Sequence, residues 1–135
     1  MIAFLALLPN MFSAFFVLGL MGWLGISLDL MTIVIAAITL GIGVDDTIHF
    51  THRYIEEYKK SGDYWQAVRD SHRTVGLAMV FTSLIISLGF SILVFSNFMP
   101  TIYFGMLTAS GLLIAVIADL ILLPILICKF KPTIR

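Results

Sequence analysis

Charge is absent from most of this chain, and the lengths of the gaps decide what it can fold into. No Asp, Glu, Lys or Arg occurs from Met1 to Leu28, from Leu30 to Val44, from Thr74 to Ala118 or from Leu120 to Cys128. A helix needs about 20 apolar residues to cross a hydrocarbon layer roughly 30 Å thick. Charged residues make up 12% of the chain and hydrophobic ones 60%. A soluble domain carries about a quarter charged residues, and a disordered chain carries little hydrophobicity, so both classes are excluded. The 8 basic and 8 acidic residues cancel, which leaves no net field to attract nucleic acid. The single cysteine, Cys128, allows no internal disulfide. Alternation of apolar and polar residues is missing, so strands are not expected. The fold class is all-α: a polytopic membrane protein built as a helical bundle.

The whole chain, 1–135, reads as one transmembrane domain with spans over about 2–25, 30–51, 75–96 and 101–128. The first span lacks the basic start of a signal peptide and is too long for its apolar core. Asp29 suits the N-cap of the second helix, and Pro100 lies near the first turn of the fourth, where its missing N–H does no harm. Pro124 is expected to kink that helix. The connection 51–74 is polar. The second helix is expected to continue along Tyr54, Ile55 and Tyr58, to break at Ser61-Gly62-Asp63, and to give way to a short helix over 64–73. The stripe Trp65, Val68 and His72 suits a helix lying on the membrane surface, or a connector whose Trp packs on other helix ends. Phe12, Phe15, Phe16 and Met21 are expected to face lipid or neighbouring helices.

All basic residues fall in the connection (Arg53, Lys59, Lys60, Arg69, Arg73) or in the tail (Lys129, Lys131, Arg135). The positive-inside rule makes both cytoplasmic, and an even number of spans then brings the N-terminus to the same side.

Asp45, Asp46 and Asp119 fall within spans. Each costs about 2.5–3.5 kcal/mol at the centre of a lone helix, so such residues face a bundle interior or a water-filled path. Counting inward from Arg53, Arg73 and Lys129 at 1.5 Å per residue puts Asp45 about 12 Å deep, Thr82 and Ser83 about 14 Å, and Asp119 about 15 Å. Two helices therefore bring carboxylates, and a third brings hydroxyls, to one level. His49 shares a helix face with Asp45, and His52 follows near the mouth. The three could form a proton path, or the histidines could be interfacial anchors. Clustered carboxyl groups withdrawn from water exchange protons as a set. The same oxygens, with the hydroxyls of Thr82 and Ser83, could instead hold Na⁺ or simply bind the helices together. Gly41 and Gly43 are expected to let a neighbouring helix approach closely, as are Gly19, Gly22 and Gly25 in the first helix and Gly105, Ser110 and Gly111 in the fourth. No zinc spacing, nucleophile elbow, Walker loop or dinucleotide fingerprint occurs. Asp45 and Asp119 meet the two-helix requirement of an intramembrane protease only loosely. The expectation is a non-enzyme without metal or cofactor, coupled to protons or Na⁺.

The run Leu40-Gly41-Ile42-Gly43-Val44-Asp45-Asp46-Thr47-Ile48-His49-Phe50 resembles the Gly-x-x-x-Asp core of the RND superfamily. It is most similar to MMPL-type exporters and, further off, to Patched and Dispatched relatives with a sterol-sensing domain. Leu20-Met21-Gly22-Trp23-Leu24-Gly25-Ile26, Thr74-Val75-Gly76 through Thr82-Ser83 to Gly89-Phe90, and Phe104-Gly105 with Ala118-Asp119-Leu120 and Leu123-Pro124 extend the likeness along nearly the whole chain. The resemblance implies a twelve-helix exporter of two related halves, each with a large extracytoplasmic domain, moving lipids or other hydrophobic compounds on proton influx, with Na⁺ used by some relatives. It gives Asp45 the role of the motif aspartate. It places Asp46 where many members carry tyrosine, and it matches Asp119 to an acidic position of the last helix. The chain is read as helices nine to twelve, set in a bacterial inner membrane. Its partners would be lipid, a hydrophobic substrate and the remainder of the exporter. The competing readings are a sterol- or lipid-sensing module, or a structural one, without transport, and a free-standing bundle that oligomerises.

Overall fold

The computed structural model describes residues 2–130. The start at Met1 and the basic tail residues Lys131 and Arg135 lie outside the described residues. Among those described, the chain is helical throughout: α1 (Ile2–Leu24), α2 (Leu30–Ser61), α3 (Tyr64–Ser71), a π-helical turn (His72–Gly76), α4 (Leu77–Ser91), a 3₁₀ turn (Ile92–Phe95) and α5 (Met99–Phe130). Four stretches are long and apolar enough to cross a membrane: Ala6–Leu24, Leu30–Ser61, Tyr64–Phe95 and Met99–Phe130. The protein is an all-α polytopic membrane protein.

Local chemistry sets the helix ends. Asp29 accepts from the Thr32 backbone N–H at 2.9 Å, and the Thr32 hydroxyl accepts from the Asp29 N–H at 2.8 Å. Each side chain thereby satisfies a backbone donor that the first turn of α2 would otherwise leave bare. Gly25 ends α1 and Gly62 ends α2, both in the left-handed region, where a side chain is strained.

The connection 51–74 follows the expected order, with α2 continuing past Tyr58, a break after Ser61 and a short helix, α3, whose first turn Asp63 caps by accepting from the Trp65 N–H. α2 runs unbroken to Ser61, only Gly62 and Asp63 interrupt the helices, and α3 passes through the π-turn into α4. α3 is thus joined to α4 rather than set apart from it. The stripe divides: Val68 is buried and His72 half-buried, while Trp65 stays exposed. The cause is packing. Phe50 and Tyr54 of α2, Ala67 and Val68 of α3, and Leu123 and Ile127 of α5 close into one apolar cluster that holds the inner face of α3. This cluster also sets the end of α5 that carries Lys129 beside the basic end of α2. A second apolar cluster, Val17, Met21, Ile35 and Leu107, holds the opposite end.

α5 is the central helix and packs on α1, α2 and α4. Its buried residues run from Gly105 to Ile127, whereas only Met79, Ser83 and Ser87 are buried in α4. Large apolar side chains cover the outside, Phe12, Phe15 and Phe16 among them, while Met21 is buried. Close approach falls on only some of the expected glycines. A Cβ at Gly105 would meet the Phe90 carbonyl and Leu93, and one at Gly111 would meet Val17 and Thr39, whereas Gly19, Gly22, Gly25 and Gly41 have no neighbour within 4 Å. The α1 glycine row and Gly41 therefore do not carry packing here.

Pro124 has a specific consequence. It has no N–H to give the Leu120 carbonyl one turn earlier. His72 of the π-turn faces that carbonyl: its Nε2 lies 2.9 Å from Leu120 O and its Nδ1 3.1 Å from Val68 O, so with a proton on Nε2 it gives Leu120 the missing donor. Gly76, in the same turn, leaves room for the Leu120 side chain. His72→Ala should lower stability by about 1–2 kcal/mol, in the range of interhelical hydrogen bonds in membranes. The loss should shrink when Pro124→Ala restores an in-helix donor to Leu120. A double-mutant cycle of unfolding in detergent micelles measures the coupling, and additive losses would show that the two residues act separately.

A divided carboxylate site in the middle of the bundle

The sequence-derived site residues lie on both sides of α2 rather than in one cluster. Asp45 and Asp46 follow each other on the helix, so their side chains diverge by about 100°. On one side, a groove of about 720 Å³ runs between α2 and α4 and is lined by Gly41, Asp45, Asp46, His49 and Thr82 among mostly apolar neighbours. Asp45 is exposed to this groove, with His49 Nε2 3.6 Å from its Oδ1 and both side chains about two-thirds open. Asp46 is half-buried, and Ser83 donates to its Oδ2 at 3.4 Å. Thr82 lines the groove but spends its hydroxyl on the backbone carbonyls of Ala78 and Met79, so it does not reach either carboxylate. His52 is not on this path. It pairs with Glu56 at 3.8 Å and lines a different crevice, between α1 and α2.

On the other side of α2, Asp119 is sealed from solvent at 1% exposure. The Thr47 hydroxyl lies 2.8 Å from its Oδ1, and Asn10 of α1 donates its Nδ2–H to Thr47 Oγ1 at 2.8 Å. These residues line up because α1, α2 and α5 approach closely at Gly43. A Cβ there would run into the Asn10 side-chain oxygen. Of the expected glycine pair, Gly43 alone meets a neighbouring helix. Asn10 and Thr47 also form part of the wall of the apolar crevice between α1 and α2, about 490 Å³ in volume.

Asn10 and Thr47 are the functional-site residues that sequence reasoning missed. Thr39, Gly43 and Thr47 recur every fourth residue along one face of α2, all buried. That row of small and hydroxyl residues was a signal for a polar interior seam. Asn10, an amide inside an uncharged span, was the other.

No group of three or more His, Cys, Asp or Glu side chains among the described residues could hold a metal ion. The arrangement offers titratable carboxyl groups at two places, an open acid pair in the groove and a closed acid behind α2. It belongs to a helical membrane protein with carboxylates at mid-span.

A profile of the MMPL family matches residues 2–130, and the chain belongs to that family. It is 34% identical over 121 residues to MJ1562, a membrane protein of Methanocaldococcus jannaschii, covering 90% of this chain and 31% of that protein. It is 30% identical over 111 residues to the hopanoid transporter HpnN of Rhodopseudomonas palustris, covering 78% of this chain and 12% of that protein. The chain thus spans under a third of either relative. No solved structure matches.

Proposed function

We propose that the chain is the membrane-embedded, energy-coupling part of an RND/MMPL-type exporter of lipids or other hydrophobic compounds. In this reading it works beside a second, related bundle and the rest of the exporter, in an inner membrane with its basic end toward the cytoplasm. The observation that carries it is the position of Asp45 and Asp46 on the wall of an open mid-span groove, at the family's motif, with Asp119 enclosed behind the same helix. Intramembrane carboxylates facing a cavity mark ion pathways. Membership of the family and the 30% identity to a hopanoid transporter support the transport reading. Asp45 takes up the ion from the groove, Asp46 and Asp119 follow it in the relay, and His49 and Ser83 orient the first two. Thr82 contributes only wall. Protonation and release shift α2 against α4 and α5, by the alternating-access logic of paired bundles.

The proton is favoured over Na⁺ as the coupling ion because, of the two hydroxyls expected in a cation's shell, that of Thr82 is engaged with its own helix and only that of Ser83 reaches a carboxylate. A proton needs only one oxygen, whereas a cation needs several. Export from cells carrying the full gene should stop when an ionophore collapses the pH gradient and should survive collapse of the sodium gradient. The reverse pattern would assign Na⁺.

The apolar crevice between α1 and α2, lined by Ala6, Leu7, Val44 and Ile48, favours one second reading: a lipid-sensing module without transport. Export indifferent to both gradients would favour it.

A further inference from the structure

Thr47 Oγ1 has more hydrogen-bonding neighbours than it has protons to give. Asn10 Nδ2 lies 2.8 Å away, the Gly43 carbonyl 2.7 Å and Asp119 Oδ1 2.8 Å. The Asn10 amide is fixed in orientation, because its Nδ2 also reaches the Ala6 carbonyl at 3.2 Å, and a carbonyl only accepts. Asn10 therefore donates to Thr47. A hydroxyl has one proton and can accept twice. The Gly43 carbonyl can only accept, so the Thr47 proton belongs there whenever all contacts are made together. The contact to Asp119 then requires a proton on Asp119, donated to Thr47 Oγ1. An ionised Asp119 would instead take the Thr47 proton. The Gly43 carbonyl would then face a hydroxyl lone pair at hydrogen-bond distance.

Burial points the same way. Asn10, Thr47 and Asp119 are 3%, 2% and 1% exposed, and the second oxygen of Asp119 has no hydrogen-bond partner. An ionised carboxylate in that position would leave a charged acceptor unsatisfied, which is far more costly than a neutral one. The surrounding titratable groups do not change the count. Asp46, with Asp45 and His49 beyond it in the groove, comes from α2, and Asp46 is the one close enough to act on Asp119 electrostatically. The π-turn contributes His72, which is bound to the Leu120 carbonyl. Neither α1 nor α4 carries a titratable side chain on its described length.

We propose that Asn10, Thr47 and Asp119 form a proton-holding centre in which Asp119 is protonated in the observed state, and in which the Thr47 hydroxyl turns from the Gly43 carbonyl to Asp119 Oδ1 when that proton leaves. Asn10 keeps Thr47 Oγ1 in place through both states. The departing proton passes to water entering the crevice between α1 and α2, which Asn10 and Thr47 help to line. Thr47 is a positioning residue: it reports the charge state of α5 to α2, next to the motif aspartates. The inference rests on the reading of Asp119 as a relay member, but its test does not depend on transport.

Infrared spectroscopy of the full-length protein in lipid, with aspartate carboxyl carbons isotopically labelled, detects a protonated side chain by its C=O stretch. At neutral pH the wild type should show such a band, and Asp119→Asn should lose it. Thr47→Val should move it to higher frequency, because the acid loses its acceptor, and Thr47→Ser should return it. If Thr47→Val does not fold, Asn10→Ala provides the second probe and should also displace the band. No acid band lost in Asp119→Asn, or a band unmoved in a folded Thr47→Val or Asn10→Ala protein, would overturn the proposal. Export that survives neutralisation of Asp45, with this band intact, would instead remove the relay reading and leave the centre standing.

Discussion

Asp45→Asn should reduce export by the full-length protein to background while leaving membrane insertion and folding unchanged. Asparagine keeps the size of the side chain and its place beside His49 but cannot ionise or carry a proton. Asp45 makes no interhelical bond: its polar neighbour is His49 on its own helix, and both side chains are largely open. Little stability is therefore at stake, and surface-like substitutions of this kind fall within about 0.5 kcal/mol. Asp46→Asn should also stop export, but with a modest loss of stability, since the amide keeps one acceptor oxygen where the carboxyl group offers Ser83 two. Transport in cells, with membrane abundance measured in parallel, separates the two effects. Normal export by Asp45→Asn protein would move the reading toward lipid sensing.

Gly105→Leu should be the most damaging single change to the fold. A Cβ at position 105 meets the backbone carbonyl of Phe90 and the Cβ of Leu93. Neither can rotate away, so α5 would have to lift off the 3₁₀ turn. Overpacking of this kind costs about 1–3 kcal/mol for modest additions, and a leucine adds more than that. Gly105→Ala should fall within that range. Gly43→Ala should cost less because its obstacle is the end of the Asn10 side chain, which can move, although only by giving up the bond to Thr47. Gly22→Ala and Gly41→Ala meet nothing and should stay near wild type. Unfolding in micelles of matched lipid would rank the series. Equal losses across all of these positions would show that the glycines matter through chain flexibility rather than through close contact.

That ranking also marks the limit of what could be read before the structure. Charge-free runs gave the helix class and the number of spans because spanning length is a one-dimensional property. Asp29 and Gly62 gave helix ends because capping is local. Which glycine touches another helix depends on how each helix is rotated, and Gly41 and Gly43, two residues apart, point to different sides of α2. The same rotation divided the acids. Counting residues put Asp45, Thr82, Ser83 and Asp119 near one depth; Ser83 does meet Asp46, beside Asp45, and Asp119 meets Thr47, while Thr82 turns to its own helix. Depth does not say which side of a helix a residue faces, and so it could not show that Asp45 opens to the groove while Asp119 is enclosed against Thr47. Thr47 was passed over because threonine in an apolar helix is ordinary, and its importance arises only when Asn10 and Asp119 converge on it. The connection was legible as a break and a short helix, but its polar composition left open what that helix packs on. Its inner face, Val68 with Ala67, is narrow and is recognisable only against Phe50 and Tyr54.

Proton movement itself is the most direct test of the account. The full-length protein in liposomes holding a pH-sensitive dye should admit protons down an imposed gradient when substrate is present, and Asp45→Asn protein at equal density should admit none above protein-free vesicles. Undiminished proton entry through the Asp45→Asn protein would contradict the assignment of the groove acids as the coupling site.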